Sequence, residues 1–221
     1  MVSKTKTAYV CNDCGADYRK WQGQCSECNA WNTLSEVRLG SPARAGKVLR
    51  PGFAGVVDSA VKTLADIALD EIPRISSGAG ELDLVLGGGF VPGSCVLLGG
   101  EPGAGKSTVL LQTLCAMAES NSALYVTGEE SPQQVAMRAN RLGLPTEKLE
   151  IMAETSVETV CAIAEKKRPK ILVVDSIQVM HIEEVSSAPG SVSQVRESAA
   201  MLVRFAKQTG TVLILVGHVT K

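Results

Sequence analysis

The sequence predicts an α/β fold, a mostly parallel sheet covered by helices, with a small cysteine-stapled module ahead of it. Three observations predict it. Apolar strand-like runs alternate with helical runs from residue 95 onward. A complete G-x-x-x-x-G-K-[ST] motif joins the first of those strands to the first helix. Near the N-terminus, a C-x₂-C pair occurs twice.

The cysteine module comes first. Cys11 and Cys14 are followed, after ten residues, by Cys25 and Cys28. This is zinc spacing: each C-x-x-C turn points two thiolates at one centre, and the intervening loop completes a tetrahedron. A segment of roughly 30 residues buries too little core to fold alone, and metal binding supplies about 10–16 kcal/mol. The rival reading is a redox C-x-x-C. Two pairs without a thioredoxin-like βαβ context favour zinc. Four thiolates leave no position for water, so the zinc is structural. Residues 8–35 are therefore expected to form a C4 zinc finger.

Residues 36–60 are expected to be a flexible basic linker. The stretch "VRLGSPARAGKVLRPGFAG" is rich in Gly, Ala and Pro and carries Arg38, Arg44, Lys47 and Arg50 without an acid. Solvated linker charge and a nucleic-acid contact both remain open for it. Net charge over the 221 residues is −1, so bulk electrostatics does not recruit nucleic acid. The start "MVSKTKTAYVC" has no signal-peptide core, and no apolar run approaches the ~20 residues that span a bilayer. A cytoplasmic protein without a membrane segment is expected. Cys95, Cys115 and Cys161 lie in apolar elements and read as inert core residues.

From residue 61 on, the pattern is that of a core domain. Strand-like runs are "CVLLGG" (95–100), "ALYVTGE" (123–129), "KILVVDS" (170–176) and "TVLILVGHV" (211–219). Their nearly continuous apolar character fits a parallel sheet covered on both faces. In "STVLLQTLCAMAE", Val109, Leu110, Leu114 and Met117 read as one helical face. "SPQQVAMRANRLG" opens with Ser131 as N-cap, Pro132 at the first helical position and Gln134 completing a capping box, and Gly143 closes it. "SVSQVRESAAMLVRFAKQTG" ends similarly at Gly210. "LGGGFVPG" (86–93) reads as a turn feeding the first strand.

The motif itself, Gly100, Glu101, Pro102, Gly103, Ala104, Gly105, Lys106, Ser107 and Thr108, reads as a phosphate cradle for ATP. Loop N–H groups and the helix N-terminus supply partial positive charge, Lys106 adds a full charge at the β- and γ-phosphates, and the Ser107 hydroxyl can ligate Mg²⁺. Asp175 ends a buried strand and fits the acid that holds Mg²⁺ beside Ser107. Glu129 and Glu130 end another strand, where one carboxylate can activate water, and the pattern does not choose between them. His218 follows the last strand as a candidate phosphate sensor, or as a structural residue.

Together these stretches resemble one family, the bacterial RadA (Sms) DNA-repair proteins, which are RecA-like ATPases. "CNDCGADYRKWQGQCSECNAWNTLSE", "GELDLVLGGGFVPGSCVLLGGEPGAGKSTVLLQ", "LYVTGEES", "ILVVDSIQ", "SAPGSVSQVRE" and "LVGHVTK" carry the resemblance. It implies a RecA-like core over 61–221 and a DNA-dependent ATPase of recombination. It also implies single-stranded or branched DNA as partner, recombinase or helicase partners, and a homo-oligomeric ring. It favours Glu129 over Glu130 as the activating acid, makes Ile177–Gln194 a DNA-facing loop and makes His218 the phosphate sensor. Because the chain stops at Lys221 after the fourth recognised strand, it is expected to be a fragment that binds nucleotide without efficient turnover. The alternative of a different class is a KaiC-like, nucleotide-switched assembly protein acting on protein partners.

Overall fold

The computed structural model describes residues 6–12, 14, 16–39, 63–66 and 73–218, with backbone only for 6–8 and 36–39. The chain divides into two compact units, with the division between residues 50 and 51.

In the first unit, β1 (Lys6–Cys11) pairs antiparallel with β2 (Asp17–Tyr18) and β3 (Leu34–Leu39), in the order β2-β1-β3. The two C-x-x-C segments sit in turns of the same build. The Cys11 N–H donates to the Ala16 carbonyl and the Cys25 N–H to that of Ala30, both at 2.9 Å. Asn29 and Asn32 take left-handed φ of 58° and 56°, which asparagine tolerates. Cys11, Cys25 and Leu34 are buried, with Tyr9, Ala16 and Tyr18 packed against them. That is too little apolar area to hold a fold, so the four sulfurs must supply the rest. β3 runs past residue 35 to Leu39. Residues 40–60, with Arg44, Lys47 and Arg50, and the Arg38 side chain lie outside the described residues.

The second unit holds α1 (Gly80–Val85), β4 (Cys95–Gly100), α2 (Lys106–Ala118), β5 (Ala123–Thr127), α3 (Pro132–Arg141), β6 (Leu149–Ala153), α4 (Val157–Lys167), β7 (Ile171–Asp175), α5 (Val192–Thr209) and β8 (Val212–His218). Among the described residues the sheet has five strands, all parallel, in the order β4-β8-β7-β5-β6. The central strands are buried on both faces. Tyr125, Val173 and Ile214 pack under α2 and α3. Leu124, Val126, Leu172, Val174 and Leu213 pack under α4 and α5.

The helix ends follow their sequence signals. Ser131 and Gln134 form a reciprocal capping box with Pro132 next to the cap, Ser191 caps α5, and Gly210 ends α5 at φ 72°. The run 86–93 feeds β4 as a turn: Phe90 bridges to Ile75, and a Cβ on Gly89 would lie 2.6 Å from the Ile75 carbonyl oxygen.

Four expectations are corrected. The chain holds a fifth strand, β6, beyond the four recognised. It is an edge strand with no fully buried residue, and Glu150 on its outer side pairs with Lys167 at 2.7 Å, so it never reads as an apolar run. β4 is not covered on both faces. Val96 and Leu98 pack inward, whereas Leu97 is 65% exposed, because β4 stands at the other edge. For the same reason Cys95 is exposed rather than core, while Cys115 is buried and Cys161 half-buried. Val109 is 55% exposed. It lies roughly 140° round the helix from Leu114, and the buried stripe is completed instead by Leu111, Cys115 and Ala118.

Gly128, between β5 and Glu129, has no space for a side chain: a Cβ there would lie 2.3 Å from Val179 Cγ2. Gly128→Ala is expected to lower stability by about 1–3 kcal/mol. Adding Val179→Ala should restore much of it, as measured by denaturant melts of the single and double variants.

Candidate functional site

Parallel strands bring their carboxyl ends to one edge, where ligands of such sheets bind. β4 ends at Gly100 and runs into a loop closed by the Ala104 N–H on the Glu101 carbonyl at 3.3 Å. Gly105 is the N-cap of α2 at φ 81°, a conformation that disfavours a Cβ. It caps with its backbone, since the Thr108 and Val109 N–H groups both donate to its carbonyl at 3.0 Å. The first N–H groups of this 13-residue helix have no intrahelical acceptor and carry the positive end of its dipole. Lys106 Nζ donates to the carbonyls of Gly100 and Glu101, each at 2.8 Å, so the ammonium lies inside the curve of the loop. Residues 101–105 are exposed, and Lys106, Ser107 and Thr108 half-buried. The arrangement is an open, positively polarised concavity that fits a polyphosphate.

The acids stand on neighbouring strands of the same edge. Asp175 ends β7, and its Oδ2 accepts from the Tyr125 hydroxyl at 2.6 Å. Burial first, and then the Asp175 charge, push the Tyr125 phenol far above its ordinary range, so its proton stays on the hydroxyl. Glu129 follows β5. The buried Ser176 hydroxyl donates to its Oε1, and His218 Nε2 lies 3.7 Å from the same oxygen. His218 ends β8 and pairs in register with Gly100, beside the start of the loop. Glu130 turns the other way, into an ion pair with Arg138 of α3. Thr127 Oγ1 fixes this parting by donating to the Glu130 carbonyl at 2.8 Å. Two adjacent acids thus reach different surroundings. The sequence pattern missed Tyr125, Ser176 and Arg138. Tyr125 carried a signal, because a tyrosine inside an aliphatic buried strand needs a partner for its hydroxyl.

Ile177–Gln194 is anchored to the core at a few positions and exposed over much of 183–192. Ile177, Met180, Ile182 and Gln194 are buried, and the Gln194 amide binds the backbone of Ile182, Val185 and Ser187. Its exposed residues include Glu183 and Glu184, and the stretch contains no Lys or Arg. Lys221 lies outside the described residues.

In the first unit the four ligand sulfurs all lie within 4.8 Å of one another, with Cys11–Cys28 at 3.7 Å and Cys14–Cys25 at 3.5 Å. Tetrahedral zinc with bonds of about 2.3 Å needs sulfurs roughly 3.8 Å apart, so the donor set fits. The Tyr18 hydroxyl, 3.2 Å from Cys25 Sγ, and the Cys28 and Glu27 N–H groups bring the Cys25 thiol down to about 6. Cys28 moves up to about 12: the Ala30 N–H pulls it down, but desolvation and the three neighbouring sulfurs outweigh it. A divalent cation that displaces these protons binds better as pH rises.

Residues 74–221 match the AAA domain family. The chain belongs to the AAA domain family. Ahead of the AAA domain, residues 9–36 match a family described as a rubredoxin metal binding domain. Over 221 residues the chain is 59% identical to DNA repair protein RadA of Haemophilus influenzae. Over 223 residues it is 60% identical to DNA repair protein RadA of Escherichia coli and 43% identical to that of Bacillus subtilis. Each match covers 100% of this chain and 48% of the relative. The chain thus spans about half the length of the curated relatives it matches. The resemblance to the RadA proteins runs along the whole chain, and the AAA domain supplies the P-loop NTPase core expected from the motif. Among the described residues no helix is long and apolar enough to cross a membrane.

Elemental analysis of the purified chain is expected to find one zinc per chain, and Cys25→Ser should bring that close to zero. Zinc should be retained at neutral pH and released on acidification, because the thiolates must reprotonate. A metal-free wild-type chain under reducing conditions would remove the zinc assignment.

Proposed function

We propose that this chain is the nucleotide-binding and zinc-bearing part of a DNA-repair ATPase that processes recombination intermediates. The observation that carries it is the convergence at one sheet edge of an open, Lys106-bearing phosphate loop with Glu129, Asp175 and His218. Bound ATP with Mg²⁺ supplies the phosphoryl group that passes to water. In this reading Gly100–Thr108 cradle the phosphates through backbone N–H groups, and Lys106 balances the β- and γ-phosphate charge. The Ser107 hydroxyl and Asp175 carboxylate are hard oxygen donors suited to Mg²⁺. Glu129, oriented by Ser176, takes the proton of the attacking water, and His218 senses the γ-phosphate from beside Gly100. Cys11, Cys14, Cys25 and Cys28 hold a structural zinc.

The repair role is supported by the description that the full-chain relatives carry, "DNA repair protein". Binding of single-stranded or branched DNA, branch migration, ring assembly and recombinase or helicase partners belong to the proposal for the whole protein. A second reading, a nucleotide-switched assembly protein acting on protein partners, is favoured by one observation. The exposed part of Ile177–Gln194 offers Glu183 and Glu184 and no cation to a phosphate backbone.

Lys106→Ala is expected to weaken ADP binding about 10–100-fold while the fold persists, since a charge-assisted hydrogen bond contributes about 1.5–3 kcal/mol. Unchanged affinity would remove the phosphate-loop assignment. In a chain extended to the relatives' full length, Glu129→Gln should keep nucleotide binding and slow turnover by about 10²–10⁴. Glu130→Gln should leave turnover near wild type. Reversal of the two would reassign the base. ATP turnover that rises with single-stranded DNA supports the repair ATPase, and turnover indifferent to DNA supports the assembly protein.

A further inference from the structure

We propose that Tyr125 is a positioning residue, whose hydroxyl holds the Asp175 carboxylate in the orientation from which its other oxygen serves the divalent cation of the bound nucleotide. This rests on the reading of Asp175 as a Mg²⁺-holding acid given above.

The geometry follows from strand register. β5 and β7 are parallel, with Tyr125 opposite Val173 and Thr127 opposite Asp175. Side chains alternate, so Tyr125, Val173 and Asp175 share the α2 face of the sheet. Tyr125 is 1% exposed, within the cluster formed with Leu111 and Leu114 of α2, the helix that begins with Lys106 and Ser107. From there only a long side chain reaches diagonally to the strand end, and the phenol does so at 2.6 Å from Oδ2. A phenylalanine would fill the same core space and demand no partner, so the hydroxyl is what requires explanation. Its raised pKa keeps it a donor, and a donor to one oxygen fixes the carboxylate torsion without neutralising its charge. The nearby Glu130 is already paired with Arg138 and does not compete for the phenol.

A buried polar pair also stabilises a fold, so the test must read something other than stability. Binding of a fluorescent ADP analogue to the purified 221-residue chain is measured against Mg²⁺ concentration, and again in EDTA. Wild type, Tyr125→Phe, Asp175→Asn and the double variant are compared, each below its melting temperature. Tyr125→Phe should raise the Mg²⁺ midpoint about tenfold, the usual effect of removing an outer-shell partner. Its metal-free affinity should stay that of wild type. The double variant should shift the midpoint no further than Asp175→Asn alone, as expected for two groups acting as one. Tyr125→Met, which fills the space without a donor, replaces the phenylalanine variant if that does not fold.

A wild-type midpoint in Tyr125→Phe, alongside a raised one in Asp175→Asn, overturns the proposal and leaves the reading of Asp175 standing. A wild-type midpoint in Asp175→Asn overturns both. Lowered melting temperature with no change in midpoint assigns Tyr125 to the core alone.

Discussion

The nucleotide site depends on one constraint, that the strands of the second unit all run the same way. A parallel strand cannot be reached by a short turn, so every connection leaves the carboxyl edge, crosses over a helix and returns. The groups that leave that edge, the loop after β4, Glu129 after β5, Asp175 at the end of β7 and His218 at the end of β8, are thereby gathered although the sequence scatters them. The chain passes outward from β5 to β6 and then returns to β7 on the other side of β5, the kind of reversal that opens a crevice at strand ends. Gly128 has no room for a side chain because the segment that follows β7, at Val179, presses against the strand end that carries Glu129.

What was legible in the sequence was local. The phosphate loop, the caps at Ser131 and Gly210 and the paired C-x-x-C turns are each written within a few residues, and backbone geometry follows directly from them. Interior strands were legible because burial on both faces leaves no polar position. Edge strands were not. β6 presents a charged outer side, and β4 exposes alternate residues that its composition had placed in the core. Least legible were the contacts that orient the site. Tyr125 and Asp175 lie 50 residues apart, and Ser176 and Glu129 lie 47 apart, so the fold has to bring them together.

The first unit solves the opposite problem. With Cys11, Cys25 and Leu34 as its buried core, it cannot stabilise itself through apolar area, and its hydrogen-bonded turns serve to bring sulfurs together. Desolvation and the neighbouring sulfurs push Cys28 up against the pull of the Ala30 N–H, while the Tyr18 hydroxyl draws Cys25 down, so the four thiols do not favour one common charge state. A doubly charged soft cation removes that conflict and supplies the missing free energy of folding.

The second unit manages its carboxylates by the kind of donor it gives each. Glu130 receives a guanidinium, and its charge is neutralised within the protein. Asp175 and Glu129 receive neutral hydroxyls, from Tyr125 and Ser176. The difference is chemical as well as geometric. A hydrogen bond between uncharged partners contributes about 0.5–1.5 kcal/mol net and one to a charged group about 1.5–3, so a hydroxyl is strong enough to fix a carboxylate. It brings no opposite charge, so a carboxylate held this way is oriented without being paired. Of Glu129, Glu130 and Asp175, the two held by hydroxyls are oriented without a guanidinium partner. The one held by Arg138 serves to keep α3 against the end of β5.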